Sequence, residues 1–176
     1  MSESIRVVSI DDSEEVAELW QRNRKFLAPW EPVRQDSFYD LKSQRDSITR
    51  DLEEFEAGRM VPFVICGSDL EIVGKLNLNG VTRGAFQSAA MGYWVSEHAN
   101  GLGHATAAAR AAVAYAFETL NLHRVQAETL LHNTPSQHVL RNAGFSAYGV
   151  APDYLRIAGR WQDHILFNTF SPDWHG

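Results

Sequence analysis

The sequence predicts a mixed α/β fold carried by a single domain over residues 1–176. Three observations lead there. Apolar residues recur with a period of two in some stretches and at three-and-four spacing in others, so strands and helices share the chain. The order read from them is mixed: one strand, two helices, three strands, a helix, a strand, a helix and two strands. No repeat, low-complexity tract or Pro/Gly/Ser linker divides the sequence.

Taken in order, Ile5 to Ile10 reads as a first strand. Asp12, with Glu15 three residues on, marks a capped helix start, followed by the apolar positions Val16, Leu19 and Trp20. Phe26 to Arg34 is a proline-broken loop rich in aromatic and charged residues, and a second helix carries Leu41, Ile48, Leu52 and Phe55. Strands follow near Val61 to Cys66, Ile72 to Val81 and Ala89 to Val95. After a glycine turn, Ala105, Ala108, Ala109, Ala112, Val113, Ala116, Phe117 and Leu120 repeat at helical spacing. His123 to Leu130 reads as a strand and Pro135 to Ala143 as a helix stopped by Gly144. Ser146 to Ile157 and Trp161 to Phe170 close the sheet as a hairpin turning at Ala158-Gly159.

Composition narrows the function. The chain is 44% hydrophobic and 22% charged, as expected of a folded globular protein. Its formal net charge of −6 argues against direct nucleic-acid binding and suits a basic partner such as a positively charged chain terminus. The start at Met1-Ser2-Glu3-Ser4 lacks a signal peptide, and no apolar run approaches the ~18 residues of a membrane span, so a cytoplasmic location without membrane contact is expected. Cys66, at the end of an apolar run, is expected to be buried and inert. His98, His104, His123, His132, His138, His164 and His175 are dispersed without metal-ligand spacing, so no metal site is expected. No Gly-x-Ser-x-Gly elbow surrounds Ser136. The sequence sets no oligomeric state.

The run Asn100-Gly101-Leu102-Gly103-His104-Ala105, between a buried strand and an alanine-rich helix, has the makings of an anion cradle. Its glycines remove the Cβ atoms that would hold a ligand off the backbone, and the new helix presents unpaired N–H groups and a positive dipole end. A glycine turn that only permits close packing has the same local pattern. No Gly-Lys-Ser/Thr follows, and the third glycine of a dinucleotide fingerprint is missing. Downstream, Asn133 or Thr134 can cap a helix that has Pro135 in its first turn, which leaves Ser136 as an optional first-turn hydroxyl.

Together these motifs resemble the GNAT superfamily of N-acetyltransferases. The family's pyrophosphate loop, Gln/Arg-x-x-Gly-x-Gly/Ala, becomes Asn100-x-x-Gly103-x-Ala105 here. Asn133-x-x-Ser136 followed by Gly144-Phe145 matches the segment beside the pantetheine arm. Longer runs are similar to the RimJ/RimL subgroup, the ribosomal-protein-alanine N-acetyltransferases, and nearest its RimJ branch. They are Asn23 to Arg34, Asn79 to Phe86, Asp153 to His164, and Ser171-Pro172-Asp173-Trp174.

The resemblance implies a GNAT fold, with a central, mostly antiparallel mixed sheet flanked by helices, and acetyl-CoA as cosubstrate. By it, Asn100, Gly101, Gly103, His104 and Ala105 would receive the pyrophosphate, Asn133 would bind the arm, and Ser136 would lie near the thioester sulfur and protonate it. Backbone N–H near Val95, where the strand would splay from its neighbour, could hold the developing oxyanion. Asp153 falls near a proposed carboxylate base; it replaces a longer glutamate, which points to a relay through water, and as a bare loop residue after Pro152 it reads equally as a solvated turn. Trp30, Glu31 and Arg34 are candidates for the acceptor pocket, with Tyr93 and Tyr154 beside them, whereas Phe26 is assigned to packing.

The expected acceptor is the N-terminal α-amine of a protein, including a ribosomal one. Such an amine has a pKa of about 7.7–8.0 against about 10.4 for lysine, so a modest base suffices. The alternatives are an acetyltransferase for a small molecule or peptide antibiotic on the same scaffold, and a CoA-binding regulatory module without turnover. The presence of both Ser136 and Asp153 speaks against the second.

Overall fold

The computed structural model describes residues 4–174; Met1 to Glu3 and His175 lie outside the described residues. The chain runs β1 (Ile5–Val7), α1 (Ser13–Leu27), α2 (Leu41–Glu56), β2 (Val61–Cys66), β3 (Ile72–Thr82), β4 (Ser88–Val95), α3 (His104–Ala114), β5 (Arg124–Leu130), α4 (Thr134–Asn142), β6 (Ser146–Ile157) and β7 (Arg160–Phe170). This is the mixed order read from the periodicities. The strands form one sheet in the order β1-β2-β3-β4-β5-β7-β6. All its pairings among the described residues are antiparallel except β4 with β5. That parallel pairing needs a crossover, and α3 supplies it.

Two apolar layers hold the sheet. On one face Phe63, Leu76, Leu78 and Met91 pack with Ala108, Ala109, Ala112 and Ala116 of the α3 segment and Leu140 of α4. The alanines keep that helix close to the strands. On the other face Val64, Ile72 and Cys66 meet Val16, Leu19 and Trp20 of α1 and Ile48 of α2. Cys66 is buried and unpaired, and burial pushes its thiol pKa up. The β6–β7 hairpin turns at Ala158 and Gly159, with φ values of 50° and 83°, the double positive-φ pattern of a two-residue turn matched to strand twist.

Three local expectations are corrected. The first strand ends at Val7, and after Val8 and Ser9 a 3-10 turn over Ile10–Asp12 takes in the last residue expected of it. Asp12 makes no cap bond to α1, because Arg6 reaches it with both guanidinium nitrogens at 2.7 and 2.8 Å and the N–H of Ser9 donates to it at 2.7 Å. Glu15 instead accepts the N–H of Ile72 at 2.7 Å. The alanine-rich helix is regular only to Ala114 and continues as a π-helical turn over Tyr115–Thr119.

The feature that positions the site is where β4 and β5 part. Their pairing covers Ser88 to Ala90 against Arg124 to Gln126 and then stops. β4 stays with β3 as far as Val95, while β5 stays with β7 as far as Leu130. A wedge-shaped opening remains in the middle of the sheet.

Candidate active site

Three groups of residues surround this opening. The first is backbone. The N–H of Ser96 donates to the carbonyl of Val73 on β3 at 2.7 Å. N–H directions alternate along an extended chain, so the N–H of Val95 points to the other side, where β5 has splayed away. Beyond it, Gly101 and Gly103 take φ values of 77° and 87°, and a Cβ built on either would meet nothing within 4 Å. Both positions need glycine for their left-handed backbone, and both leave open space above it.

Gly103 is the N-cap of α3 without a side-chain cap bond, and the first N–H of the helix to find an acceptor is that of Ala107, bonded to the carbonyl of Gly103 at 3.0 Å. The N–H groups of His104 and Ala105 therefore remain for an anion, as a pyrophosphate requires. Asn100 faces the protein instead. Its side-chain amide donates to the carbonyls of Ser96 at 2.9 Å and Val95 at 3.4 Å, which anchors the entry to the loop. A buried knot continues inward: Asn23 bonds the Ser96 hydroxyl at 2.8 Å and accepts the N–H of Glu97 at 2.8 Å.

The second group is the start of α4. Asn133 caps the helix, its Oδ1 accepting the N–H of Ser136 at 3.2 Å. The cap directs Ser136 at Tyr93 of β4, whose hydroxyl oxygen lies 2.7 Å from Ser136 Oγ. Burial pushes the Tyr93 phenol up to about 12, so it is a neutral hydrogen-bonding group at any ordinary pH.

The third group lines the face covered by α1 and α2. A pocket of about 280 Å³ is bounded by Trp20, Glu31, Arg34, Asn77, Gly92 and Tyr93, together with Lys75. Arg34 lies 3.3 Å from Glu31 and over the Phe38 ring, yet burial still raises the Glu31 pKa. Lys75 is buried with its Nζ 3.6 Å from Asp51; burial lowers the lysine and raises the aspartate. The loop carrying Glu31 bridges the opening. Its carbonyl at Glu31 accepts the N–H of Ala158 at the β6–β7 turn at 3.0 Å, and Trp30 stacks near His132 at 5.5 Å.

Strand register adds a residue that the sequence reading passed over. Ala90 pairs with Gln126 in parallel, so Gly92 and Glu128, each two residues on, project from the same face on opposite sides of the opening. Asn77 stands beside Gly92 on β3. Glu128 makes no hydrogen bond or ion pair among the described residues, and burial raises its pKa. Burial, with the nearby Glu128 charge, raises the Tyr154 pKa, and its ring packs at a tilt against buried His164 with centroids 5.6 Å apart. The alternation Val125-Gln126-Ala127-Glu128-Thr129 already places Glu128 opposite the core; the missing information is that β4 leaves β5 at that point.

Asp153 stands apart. It is exposed, sits at φ 46° in a β6 irregularity between Ala151 and Leu155, and its N–H donates to Asp163 Oδ1 at 3.0 Å. Among the described residues no three His, Cys, Asp or Glu side chains are grouped to hold a metal ion, and no helix is long and apolar enough to cross a membrane.

Comparison with known proteins gives concordant findings. Residues 4–146 match the acetyltransferase (GNAT) domain family. The probable N-acetyltransferase YjcK of Bacillus subtilis (strain 168) is 35% identical over 170 residues, which cover 96% of this chain and 94% of that protein. The ribosomal protein uS5-alanine N-acetyltransferase of Escherichia coli (strain K12) is 34% identical over 171 residues, 97% of this chain and 88% of that protein. Among solved structures, Mycobacterium smegmatis RimJ in complex with CoA-disulfide matches with a TM-score of 0.91 and 35% identity, over 97% of this chain and 84% of that one.

Proposed function

The chain belongs to the GNAT family of acetyltransferases, and we propose that the amine it acetylates is the N-terminal α-amine of a protein, a ribosomal protein being the acceptor its relatives point to. It is an N-acetyltransferase that uses acetyl-CoA. The cosubstrate supplies an acetyl thioester; the residues around the opening account for the rest.

Glu128 carries this reading. It is a partnerless, half-buried carboxylate on the wall of the opening, facing the side from which an amine enters. An incoming ammonium group neutralises that buried charge, and the carboxylate, its pKa raised by burial, then accepts the amine proton. An α-ammonium with a pKa of about 7.7–8.0 yields its proton to such a base far more readily than lysine at about 10.4. Asp153, exposed on β6, is the second carboxylate within this scheme, suited to passing the proton on to water.

The N–H of Val95 supports the negative charge that develops on the carbonyl oxygen. Tyr93 and Ser136 support the departing sulfur by hydrogen bonding. Ser136 is the acid expected to protonate the sulfur, and the Tyr93 phenol, pushed up to about 12 by burial, stays neutral and assists as a hydrogen-bonding group. Gly101, Gly103, His104 and Ala105 hold the pyrophosphate through backbone N–H groups, and the free Nδ2 of Asn133 is placed for the pantetheine arm. Glu31 and Arg34 line the acceptor pocket; Trp30, on the same loop and against His132, and Tyr154, near Glu128, are further acceptor contacts.

The test is release of free CoA thiol from acetyl-CoA in the presence of ribosomal proteins. Release is expected with free N-termini and lost when those termini are formylated. Equal release with blocked termini, or release only with small amines, contradicts the proposal.

A further inference from the structure

The face of the sheet covered by α1 and α2 lies open beyond the row of Lys75 and Trp94. The next rows run Asn77 beside Gly92, then Asn79, Ala90, Gln126 and Asn168 in register across four strands. To this face β4 contributes Ser88, Ala90 and Gly92, which offer a hydroxymethyl, a methyl and a hydrogen. The floor is therefore low, with Asn77 and Asn79 standing on one side and Gln126 on the other.

A second cavity of about 240 Å³ follows this floor away from the opening, lined by Asn79, Gly80, Phe86, Ser88, Ala90 and Gln126. Asn79 also lines the acceptor pocket, so the two cavities form one trough. At its far end the Arg124 guanidinium lies 5.2 Å from the Tyr148 ring and 5.7 Å from that of Phe86. Ser88 is only 1% exposed, yet among the described residues its hydroxyl has no hydrogen-bond partner, and Asn77 Oδ1 and Arg124 Nε lack one as well.

We infer that this trough seats the first residues of an extended polypeptide acceptor, which enters past Phe86 and Arg124 and presents its N-terminus to Glu128. The inference rests on the α-amine reading above. Side-chain amides offer both donors and acceptors, so Asn77, Asn79 and Gln126 match the N–H and C=O groups of a peptide backbone whatever its side chains. A floor of small residues lets that backbone lie close. From Gly92 to Ser88 the strand advances roughly 13 Å, enough for about four residues of an extended acceptor. The unpaired Ser88 and Asn77 groups are the kind of deficit that a polar ligand corrects. A small amine would occupy the first cavity and leave the second without use.

The experiment compares kcat/KM for alanine-initiated Gly/Ser peptides of two, four and six residues, with spermidine as a small-amine control. The tetrapeptide is expected to exceed the dipeptide by about tenfold, through added backbone hydrogen bonds, and the hexapeptide to add little. Ala90→Leu, which raises the floor, and the milder Gln126→Ala should each bring the hexapeptide-to-dipeptide ratio toward one. A wild-type ratio near one, or a ratio that neither variant changes, overturns the trough and leaves the α-amine reading intact. Acetylation of spermidine with no peptide accepted at any length overturns the α-amine reading itself.

Discussion

The hydroxyls of Tyr93 on β4 and Ser136 on α4 are 2.7 Å apart, joined across the place where β4 and β5 separate. The bond ties the two halves of the site together. The Tyr93 hydroxyl also lies 3.3 Å from the Ser136 carbonyl, to which it can donate, so Tyr93 is held at the start of α4 by both atoms.

Ser136→Ala and Tyr93→Phe should each lower kcat by about ten- to a hundredfold, the range for loss of one or two hydrogen bonds to a charged centre. Because the two act as a pair, the double variant should fall little below the worse single variant. Steady-state kinetics on the four proteins measures this, and fully additive losses would show that the hydroxyls work independently.

Glu128→Gln should cost about 10²–10⁴ in kcat/KM, the usual contribution of a positioned base. The acid limb of the wild-type pH profile should lie above the ordinary glutamate range, since burial raises this pKa. Asp153→Asn, at an exposed position, should change kcat/KM by no more than a few fold. A reversed order of the two effects would assign the proton transfer to Asp153.

The same substitution should stabilise the fold. With its folded pKa above the unfolded one, Glu128 holds its proton more tightly in the native state, so its contribution falls as pH rises from the unfolded pKa through the folded one. Glu128→Gln removes that loss. Its melting temperature should exceed wild type at pH 7, and the gap should close below about pH 4, where both states are protonated.

Gly103→Ala meets open space but places a Cβ on a backbone at φ 87°. It should destabilise the protein by about 1 kcal/mol and weaken acetyl-CoA binding more than acceptor binding. Calorimetric titration with CoA checks the binding arm. Unchanged CoA affinity would separate this loop from the cosubstrate.

Lys75→Met leaves half-buried Asp51 without its cation and should cost about 1–3 kcal/mol in urea unfolding. Adding Asp51→Leu should recover most of that loss, because both members of the pair carry a desolvation cost.

The parts of the site legible in the sequence are those made by neighbouring residues. Gly101 and Gly103 announce a left-handed turn before a helix, and Asn133 to Ser136 announces a helix start; both chemistries close within a few positions. The hairpin at Ala158-Gly159 is local in the same way. Glu128 is different. Its face follows from alternation, but its exposure to the opening depends on β4 leaving β5 after Ala90, a relationship between strands some thirty residues apart. The Tyr93–Ser136 bond and the Lys75–Asp51 pair likewise need the assembled sheet. Asp12 shows the reverse: its local capping pattern is sound, but Arg6 on the neighbouring strand claims the carboxylate. Asn100 matches the loop motif by position, while its amide closes onto Ser96 and Val95.

The central claim is that acetyl passes to a protein's terminal α-amine. It is tested most directly by tandem mass spectrometry of ribosomal proteins after incubation with isotope-labelled acetyl-CoA and the enzyme. Label confined to N-terminal α-amines, and absent with Glu128→Gln, is the predicted result. Label on lysine side chains, or on no protein while small amines are acetylated, would contradict it.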